Sequence, residues 1–251
     1  MTARNFLIRG LLAGLIAGLF SFAIGYTVGE PPIDAAIAIE EAAAAPAADH
    51  AHETGSDHEH GDEGGGISRT IQSTWGLATA TVAMGVALGG IVALIAAGVA
   101  GRLGRLPLVG STALVAGLGF VAYSLVPFLK YPAVPPAVGS GDTIGSRTAY
   151  YFLFALISVV AMVAAVVLAR RLASGMGAYP AVVLAGIAYV AVVAVAALAM
   201  PTVNELGDFP ADVLWEFRVS SLLTLSALWG SLGIALTWLL RRLEVSQKAA
   251  V

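Results

Sequence analysis

All four histidines of this 251-residue chain fall within eleven positions, as Asp49-His50-Ala51-His52-Glu53 and Asp57-His58-Glu59-His60. A neutral imidazole offers a nitrogen lone pair to Co²⁺, Ni²⁺, Zn²⁺ or Cu²⁺, and neighbouring carboxylates add harder oxygen ligands while offsetting the charge of the ion. The candidate metal ligands are therefore His50, His52, His58, His60, Asp49, Glu53, Asp57 and Glu59. Glycines at 55, 61, 64, 65 and 66 leave this segment too flexible to preorganise one cage. Binding should accordingly be transient and promiscuous among late first-row metals, with no tightly bound cofactor. A solvated acidic linker is the bland alternative, since composition alone produces one. The gathering of every imidazole into one segment favours metal binding. Protonation near the unperturbed histidine pKa of about 6.5 should release the ion.

The elements that carry this segment follow from composition. The chain is 58% hydrophobic and 12% charged, against about 45–50% and about 25% for soluble domains. Six apolar stretches, roughly 7–28, 75–100, 108–129, 148–169, 179–200 and 217–240, are each long enough to cross a bilayer as a helix. Stretches such as 181–199 are apolar on every side, which argues against the alternation of a barrel strand. The expected fold is all-α, a polytopic integral membrane bundle of six transmembrane helices. Residues 1–29 form the N-terminus and first span, 30–74 an acidic histidine-rich loop, 75–240 five further spans with short loops, and 241–251 a tail. Trp75, Tyr123, Tyr150, Tyr151, Tyr179, Trp215 and Trp238 lie near the ends of these spans, where aromatic rings anchor at the membrane interface.

Lys and Arg near span ends are retained in the cytoplasm. With the N-terminus inside, nine cations fall on inner segments, and four (Arg69, Lys130, Arg147 and Arg218) on outer ones. Both termini are thus expected to be cytoplasmic and the histidine loop external. A cleaved signal peptide is the rival for the first span, because Arg4 and Arg9 precede an apolar run and an alanine-rich stretch follows. Gly10, Gly14 and Gly18 recur every fourth position, and Gly85, Gly89, Ala93, Ala97 and Gly101 do so in the second span. Such spacing lets helices approach closely in lipid and suits a retained helix.

Other chemistries lack their residues. There is no cysteine for disulfides, thiolate sites or nucleophiles, no histidine in any span, and no phosphate-binding loop. An enzyme is not expected, and no basic patch suits a nucleic acid. Ser220, Ser221, Thr224, Ser226, Ser231 and Thr237 put hydroxyls on the last span, and these read first as interhelical or backbone-bonded groups. Met84, Met162 and Met200 read as apolar filler.

Several segments in order resemble the CbtA family, described as probable cobalt transporter subunits of bacteria. They are the basic start with its glycine-rich first span, Gly29-Glu30-Pro31-Pro32-Ile33-Asp34 running into Ala38-Ile39-Glu40-Glu41, and the histidine loop. Further on come Gly141-Asp142-Thr143-Ile144-Gly145 with Arg147-Thr148, then Phe209-Pro210, Trp215-Glu216-Phe217-Arg218-Val219 and Trp229. The resemblance implies cobalt uptake linked with cobalamin synthesis, in a bacterial inner membrane. It also implies a small CbtB-type partner with one span and its own histidine-rich end. The family is usually described with five spans, whereas six are counted here. Joining the two lines gives a metal-uptake subunit, for Co²⁺ foremost with Ni²⁺ or Zn²⁺ as alternatives. Its loop would capture the ion and pass it to an entrance among Glu30, Asp34, Asp142, Glu205, Asp208, Asp212 and Glu216. A non-transporting membrane scaffold, whose loop buffers metal or recruits partners, is the alternative.

Overall fold

The computed structural model describes residues 2–44, 68–104 and 106–249. Its long helices are α1 (Ala3–Ala44), α2 (Arg69–Val99), α3 (Leu108–Lys130), α4 (Gly141–Met176), α5 (Ala178–Ala199) and α6 (Ala211–Ala249). Each has the length and apolar content to cross a membrane, and no strand occurs among the described residues. Six spans are thus present, each overlapping one of the six apolar stretches.

The first helix runs further than its apolar stretch. At about 1.5 Å per residue, its 42 residues are about twice as long as a hydrocarbon core of about 30 Å is thick. Pro31 and Pro32 sit inside it, where each removes a backbone donor and crowds the carbonyl four residues earlier. A wide π-turn at Gly25–Gly29 precedes them, with the Glu30 N–H bonded to the Gly25 carbonyl five residues back. The same device recurs in α3, where a π-turn at Phe120–Leu125 precedes Pro127. A locally widened turn absorbs the proline and the helix continues. Residues 30–44, which open the histidine-rich segment, are therefore helical rather than irregular.

Packing follows residue size. α1 lies against α2 and α6, α3 joins this group through α6, and α5 packs chiefly on α4. In the α1–α2 seam a Cβ added at Gly18 would come within 2.6 Å of Val82 Cα, and one at Gly89 within 2.8 Å of Gly14 Cα. The two backbones touch, as the four-residue glycine spacing requires. Around the seam Phe6, Ala13, Leu88, Val92, Leu232 and Leu236 form the main core. Trp229 enters from α6 against Gly119, and its Nε1 donates to Ser124 Oγ at 2.8 Å, which satisfies a polar atom in an apolar interior. A second cluster, Ala161, Ala165, Ala185 and Tyr189, joins α4 to α5, with Met162 packed beside it and Tyr189 Oη bonded to Ser158 Oγ at 2.9 Å. Gly177, at φ +86°, makes the tight turn between these two helices, a conformation that favours glycine.

Candidate functional site

One end of the bundle gathers residues from α1, α2, α3, α4 and α6, and from the segments that follow α3 and α5, around a cavity of about 720 Å³. It is bordered by the π-turn of α1, the segments that follow α3 and α5, and residues 144–152 of α4 and 217–225 of α6. Its charged lining residues are Glu30, Lys130, Arg147, Glu205 and Arg218. The walls between them are largely aromatic and aliphatic, with Phe128, Tyr131, Tyr151, Phe152 and Phe217 among them.

Each carboxylate at this cavity is already engaged. Glu30 is only 8% exposed and pairs with the guanidinium of Arg69. Arg69 also donates from Nε and Nη2 to Asp34 Oδ1, at 3.0 and 2.8 Å. The four-residue spacing of Glu30 and Asp34 puts both acids on one helical face, so a single arginine from the start of α2 clamps the pair.

Glu205 Oε2 accepts from Thr143 Oγ1 at 2.8 Å and from the Ser140 N–H at 3.1 Å, and lies 3.7 Å from Arg147 Nη1. The Thr143 hydroxyl, then the Ser140 amide, with Arg147 adding, hold its carboxyl below the usual carboxylate range. Gly139 makes this approach feasible. At φ +91° it lies so near the pair that an added Cβ would be 2.8 Å from both Arg147 Cζ and Glu205 Oε2.

The cations are less fully matched. Arg147 donates to the Ser140 carbonyl at 3.2 Å, yet its buried Nε has no acceptor. Arg218 Nε is likewise buried and unpartnered. Lys130 Nζ lies 3.4 Å from the Met200 carbonyl, and Tyr131 Oη donates to the Pro201 carbonyl at 2.8 Å, tying the end of α3 to the segment after α5. The hydroxyls of Ser220, Ser221 and Thr224 face this region but donate to carbonyls of their own helix at 2.7–2.9 Å. Ser231 and Thr237 do the same deeper in α6, so this row is backbone-bonded.

Of the acids expected at an entrance, Glu30 and Asp34 are joined through Arg69, and Glu205 and Asp208 border a neighbouring hollow of about 500 Å³. Asp142, Asp212 and Glu216 are exposed. Among the described residues no three His, Asp or Glu side chains come together as a group able to hold a metal ion. Asp49, His50, His52, Glu53, Asp57, His58, Glu59 and His60 lie outside the described residues. Lys130, Arg147 and Arg218, expected on one side of the bundle, line the same cavity, and Arg69, the fourth cation of that group, pairs with Glu30 at its border; no local pattern in the sequence signals their convergence on one cavity.

Six helices long and apolar enough to cross a membrane define a polytopic helical membrane protein. The chain belongs to the CbtA family: the family model, "Probable cobalt transporter subunit (CbtA)", matches residues 3–241, nearly the whole length. No curated protein and no solved structure matches it. Membership suggests a transporter subunit rather than an enzyme, with cobalt as the transported ion; a subunit implies partners, and the helices imply a bilayer.

Proposed function

We propose that the chain is the multi-pass membrane subunit of a divalent-metal uptake system in a bacterial inner membrane, with cobalt as its principal cargo. Both termini are cytoplasmic in this reading, and the segment holding His50, His52, His58 and His60 is external. The histidines, with Asp49, Glu53, Asp57 and Glu59, raise the local concentration of metal. The ion then passes toward the acids at the outer end of the bundle, Glu30, Asp34, Asp142, Glu205, Asp208, Asp212 and Glu216. A small CbtB-type subunit with its own histidine-rich end completes the system, and the cobalt serves cobalamin synthesis.

The observation that carries this reading is the family match over residues 3–241. Six helices long and apolar enough to cross a membrane support it. Uptake of radioactive cobalt, measured in cells that express the chain with and without the partner, tests it. Uptake should need both subunits, and replacing the four histidines by alanine should lower the rate at scarce metal more than at abundant metal. Capture should also weaken as pH falls through about 6.5. No uptake by the intact pair would leave the second reading, a scaffold whose loop buffers metal. One feature favours that alternative: Glu30, Asp34 and Glu205 are committed to arginines rather than free for a cation.

A further inference from the structure

We propose that the 720 Å³ cavity at this end is a binding site for an oxyanion, a carboxylate or phosphate group on an organic body, with Arg218 and Arg147 as its ligands and Lys130 at its edge. Three cations line it, and both carboxylates of its lining are taken. Glu30 belongs to Arg69, while Glu205 is shared among Arg147, Thr143 and Ser140. Arg218 makes no ion pair or hydrogen bond among the described residues, and its Nε is buried, as is the unmatched Nε of Arg147.

Two guanidinium groups around one cleft repel each other, and buried donors without acceptors are costly; a single oxyanion relieves both. The planar fork of arginine is suited to carboxylate and phosphate oxygens, which it engages in pairs. The cavity is also too large for one hydrated ion and lies within the range of about 300–1,000 Å³ usual for organic ligands. Phe128, Tyr131, Phe152 and Phe217 supply apolar walls for the rest of such a molecule. A bare divalent cation would meet positive charge here instead. Two sources supply this chemistry: a soluble organic acid, free or as a metal chelate, and the headgroup of an anionic phospholipid.

The test uses the full chain purified in non-ionic detergent, and it does not depend on whether the protein transports cobalt. Thermal unfolding and calorimetric titration are run with citrate and with inorganic phosphate, and separately in nanodiscs of phosphatidylglycerol against phosphatidylcholine. A rise in the unfolding midpoint with citrate or phosphate identifies a soluble anion; a rise confined to phosphatidylglycerol identifies the headgroup. In either case Arg218→Gln should weaken binding about tenfold or more. Without an anion the same variant should unfold no earlier than the native protein, because Arg218 has no ion-pair or hydrogen-bond partner among the described residues to lose; a merely structural arginine would lower the midpoint. Arg147→Lys, which keeps the charge and loses the fork, should give an intermediate affinity. Absence of binding in every arm, or unchanged affinity in Arg218→Gln, overturns the proposal.

Discussion

Glu205 accepts two hydrogen bonds and faces a guanidinium, and all three partners favour its charged form. Its folded-state pKa lies below the unfolded value, so its contribution to stability is present above the ordinary carboxylate range and lost as pH falls through the lowered value. The native protein and Glu205→Gln should therefore differ most in unfolding midpoint near neutrality and converge as the medium is acidified below about pH 4. Thr143→Val, which removes the leading hydrogen bond, should shift that convergence to higher pH. Gly139 offers a sharper test. Gly139→Ala puts a Cβ on a left-handed backbone and against Arg147 and Glu205, and should cost about 1–3 kcal/mol by denaturant or thermal unfolding. Glu205 stood out in the sequence as an acid beside a span. Its partners did not, because Ser140 and Thr143 lie 65 and 62 positions away, and no local pattern encodes such a pairing.

Between elements, the contact of α1 with α2 is the part most plainly written in the sequence. A four-residue glycine spacing places small residues on one helical face, and Gly10, Gly14 and Gly18 meet Gly85, Gly89 and Ala93. Glycine-to-alanine changes should consequently have opposite signs at different sites. An added Cβ at Gly14 would lie 2.8 Å from Val86 Cα, whereas nothing lies within 4 Å at Gly186. Gly186→Ala should stabilise by up to about 1 kcal/mol through helix propensity, and Gly14→Ala should destabilise by about 1–3 kcal/mol through overpacking. Heating curves in detergent read both. The extent of the helices was less legible. Pro31-Pro32 reads as a stop by local rules, yet α1 continues through it because the preceding π-turn widens the backbone.

For the whole molecule, the number of crossings was readable because each stretch is apolar almost all round. The cavity was not, because it forms only when the ends of separate spans converge. Orientation is open to direct measurement in a chain with no cysteine. Single cysteines at Gly55 and Asp208 should react with an impermeant maleimide from outside intact cells, and one at Ser174 only after permeabilisation; the reverse pattern would place the histidines in the cytoplasm. The α1–α2 seam also restricts how the bundle could move. Where two backbones touch there is no layer of side chains to change rotamer, so α1 and α2 cannot slide past one another without collision. The α4–α5 hairpin is packed far less on α6, and α3 is its main attachment to the rest. The glycine seam is thus the part of the bundle least able to shift, and the α4–α5 hairpin is the part least bound to it, held at one end where Tyr131 of the segment after α3 donates to the Pro201 carbonyl.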